Sequence, residues 1–256
     1  MKKLDLMIVT GASRGIGRHI AQRSEAKSLM LISSSSSVNL TSVDNRSNKI
    51  FLHIDIADTE LIYKTVSKQL SGLEGIKSIG VALCAAQIGE HGGLFNTSLN
   101  QWDLLYRTNV LGNLAVIKAL EPHLRSGGSA RVVFFAGGGA AYGYPEFSGY
   151  ALTKVAVVRA VENLGLEFKQ NSFDASIIAL APGAVATDML ATVLAHGGSV
   201  KTHTNINEPA EFVRRFIADE LNIFALNGRF VHVRDLLDEI NFQNIDVSLF
   251  KLRRIE

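Results

Sequence analysis

The chain is sparing with the residues that mark most specialised protein classes. Its one cysteine, Cys84, excludes an internal disulfide and leads us to expect a reducing, cytoplasmic compartment. Four prolines, beside 22 glycines and 47% hydrophobic residues, argue against disorder and for a compact fold. Lysine and arginine exceed aspartate and glutamate by only 26 to 24, too small an excess to imply nucleic acid as a partner. Long hydrophobic runs are missing as well. The first one, Leu6-Met7-Ile8-Val9, is too short for a signal-peptide core or a membrane span, so no membrane association is expected.

What the chain does have is alternation. Short apolar runs at residues 4–10, 29–32, 50–54, 79–84, 131–135, 176–180 and 229–233 read as strands. They are nearly continuous in apolar character, as strands buried on both faces are. Helical segments are expected from the glycine turn to about residue 27, then at 59–70, 104–124, from 150 onward, and at 208–222 with Pro209 near its start. Residues 38–49 read as polar and turn-like, and 189–207 as irregular and polar. No linker or internal repeat divides the chain. The expectation is α/β: a single domain over 1–256, built as a doubly wound parallel sheet of about seven strands with helices on both faces.

The first strand breaks into Gly11-Ala12-Ser13-Arg14-Gly15-Ile16-Gly17 before a helix. Glycines let backbone approach a phosphate closely, and a helix start offers free N–H donors with positive potential, so this turn is a candidate nucleotide site. Its G-x-x-x-G-x-G spacing differs from the G-x-G-x-x-G of long-chain dehydrogenases. In NAD-binding sites the second strand usually ends on an acid that accepts from the adenosine ribose. Here Ser33, Ser34 and Ser35 stand there instead. Small hydroxyls with Arg14 nearby suit a 2′-phosphate, which a carboxylate would repel. The pattern favours NADP(H) over NAD(H).

Tyr150 and Lys154 are four apart on a helix and therefore on one face. A free phenol titrates near ~10, and a fixed ammonium, helped by a nicotinamide cation, would favour the phenolate. Reaching neutrality takes about three units, roughly 4 kcal/mol. Asn109, inside the expected 104–124 helix, is by itself an ordinary helix asparagine.

Taken in order, these pieces resemble the short-chain dehydrogenase/reductase family, a Rossmann-type fold, over roughly residues 5–235. Thr10-Gly11-x-x-x-Gly15-x-Gly17 is similar to its cofactor loop, and Pro182-Gly183 with Thr187 to its nicotinamide-side loop. Tyr150-x-x-x-Lys154 is similar to its catalytic pair, Asp55 to its adenine-contacting acid, and Asn109 to its helix asparagine. The resemblance implies that Tyr150 exchanges a proton with the substrate oxygen. It implies that Lys154 holds the cofactor ribose and lowers the tyrosine pKa, and that Asn109 positions a water in the relay. Cofactor contacts are expected from Gly11, Ser13, Arg14, Gly15, Ile16, Gly17, Ser34, Asp55, Ile56, Ala85, Tyr150, Lys154, Pro182, Gly183, Val185 and Thr187. No residue is assigned to a metal.

Two positions depart from the family pattern. Its N-N-A-G after the fourth strand is here Cys84-Ala85-Ala86-Gln87, so side-chain support of the central sheet is altered. The serine that polarises the substrate carbonyl, thirteen residues before the tyrosine, is Gly137. Ala136 has no hydroxyl, and Ser148 lies in the wrong part of the loop. Backbone N–H groups of Gly138 or Gly139, the Tyr142 or Tyr144 hydroxyl, or a substrate group remain as substitutes. Whether a serine fits at 137 depends on whether its φ is positive. The expected function is NADP(H)-dependent interconversion of a carbonyl and a secondary alcohol; the alternative is a nucleotide-binding protein of weak or no catalysis. Residues 189–207, with His196, Lys201 and His203, are expected to cover the substrate. The apolar tail 236–256 is expected to pack on the domain or a sister subunit of a homodimer or homotetramer.

Overall fold

The structure is a computed structural model, and it describes residues 4–35, 48–198, 200, 203–221 and 223–235. Lys201 and the 236–256 tail lie outside them.

β1 (Leu6–Thr10), β2 (Ser28–Ser33), β3 (Asn48–His53), β4 (Ser78–Leu83), β5 (Ser129–Phe135) and β6 (Ala175–Ala181) follow one another along the chain. β7 (Ala184–Val185) and β8 (His203–Thr204) pair only with each other, and β9 (Arg229–His232) closes the series. The main sheet has seven strands in the order β3-β2-β1-β4-β5-β6-β9, all parallel. Alternate residues feed separate cores. Leu6, Ile8, Val132 and Phe134 face one side, while Met7, Val9, Val133 and Phe135 face the other. That double burial is why the strands read as continuous apolar runs.

Among the described residues the α-helices are α1 (Gly15–Arg23), α2 (Thr59–Ser71), α3 (Leu99–Tyr106), α4 (Gly112–Lys118), α5 (Glu121–Arg125), α6 (Ser148–Gln170), α7 (Asp188–Ala195), α8 (Asn207–Ile217) and α9 (Ile223–Leu226). Several begin where the sequence offers a cap: Asp58 accepts from Leu61 N–H, Ser98 from Asn100 N–H and Thr187 from Leu190 N–H. α1 stops at Arg23, short of the expected 27, and α8 at Ile217, short of 222. The long helix expected at 104–124 is α3, α4 and α5, with a π turn over Arg107–Leu111 between the first two. The 189–207 segment is not wholly irregular, since α7 occupies its first part.

β1 lies between β2 and β4, so the strand order reverses there, and a crevice opens at the carboxyl ends of both strands. Ligands of open α/β sheets bind in such crevices.

Candidate functional site

One cavity of about 550 Å³ collects the ends of β1, β2, β4, β5 and β6. Gly11, Ser13, Arg14, Gly15, Ile16 and Gly17 form its glycine-rich wall, and Ser33 and Ser34 stand at the end of β2. Asp55, Ile56, Ala85, Tyr150, Lys154, Pro182 and Thr187 also line it. Most of the expected catalytic and cofactor-contacting residues are thereby brought together. Three are not. Asn109 is wholly buried, Val185 is buried in the β7–β8 pairing, and Gly183 lies outside the lining.

The glycine turn is tight because side chains are excluded from it. A Cβ on Gly11, whose φ is +66°, would stand 2.9 Å from the Ala85 backbone, and one on Gly17 would stand 2.4 Å from the Gly11 carbonyl oxygen. α1 thus starts against the end of β1, with neither a side-chain cap nor an acid in its first turn. Its leading N–H groups suit an anionic ligand.

The loop after β4 is held by Thr10 and by Asn113, a residue not singled out in the sequence. Asn113 Nδ2 donates to Ala85 O (3.0 Å), Ala85 N–H donates to Thr10 Oγ1 (3.0 Å), and Thr10 Oγ1 donates to Asn113 Oδ1 (2.8 Å). Asn109, a helical turn earlier, clamps Gln87. It accepts from Gln87 N–H at 2.8 Å and donates to Gln87 O at 2.9 Å, and its Nδ2 also reaches Thr153 Oγ1 at 3.0 Å. The support expected from an N-N-A-G loop comes from the helix instead. A second asparagine four residues after Asn109 was the available signal. With its carboxamide so engaged, Asn109 joins the loop to α6 and has little left for a relay water.

Lys154 is buried, and its Nζ donates to Phe135 O at 2.8 Å and sits 5.4 Å from the Tyr150 ring centroid. Burial pulls its pKa down to about 8. Burial also pushes the Tyr150 phenol above its usual 10, with Tyr144 adding to the rise. The lysine alone does not favour the phenolate, because the cost of burying charge exceeds what an ammonium held by a carbonyl returns. Cys84, also on the cavity wall, has its thiol pushed up by burial, which makes it a poor nucleophile.

The lysine result has a measurable consequence. An unfolded lysine titrates near 10.5 and the folded one near 8, so the unfolded state binds more protons between those values. Stability of the ligand-free protein should therefore rise with pH across that window by up to about 3 kcal/mol from this group. Urea unfolding of the parent and Lys154→Met, at several pH values, isolates the contribution. The parent should gain on the variant between about 8 and 10.5, and a constant difference would contradict the assignment.

Gly137 sits at φ 163°, ψ 178°, extended backbone open to any residue. A Cβ there would lie 3.5 Å from the Tyr150 hydroxyl oxygen, with no other neighbour within 4 Å. Ser148 Oγ donates to Pro145 O, which uses its proton locally. His196, at the end of α7, stacks on His91 at 4.8 Å between centroids, while His203 O accepts from Arg234. Asp188, Met189 and Thr192 of α7 join the cavity wall; the last two belong to the stretch expected to cover the substrate, and only their helical form differs from the irregular segment expected there.

A model of the short chain dehydrogenase family matches residues 5–197, and the chain belongs to that family. It is 26% identical over 241 residues to an uncharacterised oxidoreductase of Schizosaccharomyces pombe, covering 87% of this chain and 91% of that protein. It is 29% identical over 210 residues to the L-xylo-3-hexulose reductase of Hypocrea jecorina, covering 73% and 68%. A short chain dehydrogenase structure from Shigella flexneri, complexed with NADP, superposes with a TM-score of 0.76 at 18% identity, covering 91% of this chain and 98% of that one. The chain is thus an oxidoreductase of the short-chain dehydrogenase family with a Rossmann-like α/β fold. Among the described residues, no helix is long and apolar enough to cross a membrane.

Proposed function

We propose that this protein interconverts a carbonyl and a secondary alcohol, using NADP(H), with Tyr150 as the acid and base. The observation that carries the reading is that Tyr150 and Lys154 line the cavity that begins at the glycine turn, with Gly137, just past the end of β5, beside the Tyr150 hydroxyl.

The residues present fit such a dinucleotide. The side-chain-free turn and uncapped α1 suit its pyrophosphate, Ser33, Ser34 and Arg14 its 2′-phosphate, and Pro182 and Thr187 the nicotinamide side. The solved relative from Shigella flexneri holds NADP. When bound, the nicotinamide supplies or accepts the hydride. Tyr150 gives a proton to the substrate oxygen in reduction and takes it back in oxidation. Lys154 contacts the ribose and keeps a positive charge beneath the phenol. Asn109 positions Gln87 and Thr153, and so the walls on either side. Residues 189–207, with α7 at their start, cover the substrate, and the whole chain forms one domain in a reducing, cytoplasmic compartment.

Exposed apolar side chains on α3 and α6 support a homodimer or homotetramer. Leu152, Val155 and Leu166 share one face of α6 and are 57%, 38% and 61% exposed. Light scattering should give a mass of two or four chains, reduced by Leu152→Glu; a monomeric parent would contradict this part. The cofactor reading is tested by calorimetric titration, in which NADPH should bind at least tenfold more tightly than NADH. Equal affinities would remove the case for NADP(H).

A further inference from the structure

Arg14, the cation of the glycine turn, already has an anion. Its Nη1 donates to Asp188 Oδ2 at 3.1 Å. Asp188 opens α7 directly after the capping Thr187, where a carboxylate is favoured by the helix N-terminus. The two ends are adjacent because a Cβ on Gly15 would lie 3.5 Å from Thr187 Cγ2. Both partners line the cavity, and the other acid on its wall, Asp55, accepts from Ala57 N–H. Arg14 is therefore drawn toward α7, while the serines suited to a 2′-phosphate stand across the turn at the end of β2.

We propose that Asp188 is an internal competitor for Arg14 and sets how strongly the cleft discriminates a 2′-phosphorylated dinucleotide from an unphosphorylated one. The inference rests on the NADP(H) reading above. A 2′-phosphate gains Arg14 only by drawing it off Asp188. A dinucleotide with a free 2′-hydroxyl leaves the pair intact. The side chains of the pair are 69% and 75% exposed, so it is screened by water and breaks readily. Such pairs shift an equilibrium by about fivefold at most.

The experiment is a double-mutant cycle of dissociation constants, with NADPH and NADH titrated into the full chain, Asp188→Asn, Arg14→Gln and the double variant. Asp188→Asn should tighten NADPH about two- to fivefold and leave NADH unchanged. In the Arg14→Gln background the same change should do nothing. Equal tightening of both cofactors, no change, or weaker NADPH binding would overturn the competitor role while an NADPH preference lost in Arg14→Gln still stood. If the parent bound both cofactors alike and Arg14→Gln altered neither, the NADP(H) reading itself would fall.

Discussion

Tyr150→Phe should lower turnover by roughly 10²–10⁴-fold and leave NADPH affinity within about twofold. The substitution keeps the ring and removes only the hydroxyl. The Tyr150 backbone carbonyl, which accepts from Thr153 Oγ1, is untouched, so α6 keeps its geometry. Burial holds the phenol protonated at neutral pH, and that is the form a carbonyl reduction consumes. Reduction should thus keep its rate through the neutral range, while oxidation should accelerate as the pH rises. Lys154→Ala should behave differently and weaken both binding and turnover, since the ammonium is proposed to touch the ribose as well as to lie beneath the ring. Steady-state rates and calorimetric titration of both variants separate the roles. A Tyr150→Phe enzyme retaining more than about a tenth of the parent rate would show that the proton comes from elsewhere.

Gly137→Ser should raise kcat on small, unactivated carbonyls by up to about 10²-fold. On the proposed alignment the family serine falls at Gly137, and that position is open: extended backbone, with the new Cβ 3.5 Å from the Tyr150 oxygen. Backbone strain, which a positive φ would have imposed, is therefore not an obstacle. A hydroxyl there would meet charge as it develops on the carbonyl oxygen, so the gain belongs in kcat more than in KM. A bulky natural substrate that uses the space left by glycine should lose activity in the same variant. Rates on a graded series of ketones distinguish the cases, and a folded variant unchanged on every member would show that residue 137 does not face the reacting group.

The fold was legible because a sheet buried on both faces writes itself as apolar runs, and those of β1 and β2 end at Gly11 and Ser33 on the cavity wall. The glycine turn, Tyr150 and Lys154 were legible for a related reason, since their spacing is local. The rest depended on contacts between distant segments. Asn113 holds Ala85 across 28 positions, and Asp188 meets Arg14 across 174. The π turn at Arg107–Leu111 is a change of backbone hydrogen-bond register, which side-chain periodicity does not record. α7 was missed although Thr187 and Asp188 form a good helix start, because the glycines and histidines that follow gave the whole stretch a polar character. The shifted groups of Tyr150 and Lys154 reflect burial, which spacing alone cannot give.

The cleft is proposed to perform substrate-dependent hydride transfer with Tyr150 handling the proton. The most direct measurement is NADPH consumption by the purified protein across a panel of ketones, aldehydes and keto-sugars, with the alcohol product quantified beside it. At least one carbonyl should give one alcohol per NADPH consumed, with the rate lost in Tyr150→Phe. Tight NADPH binding without consumption on any carbonyl, identical in parent and variant, would contradict it and leave a nucleotide-binding protein in place of an enzyme.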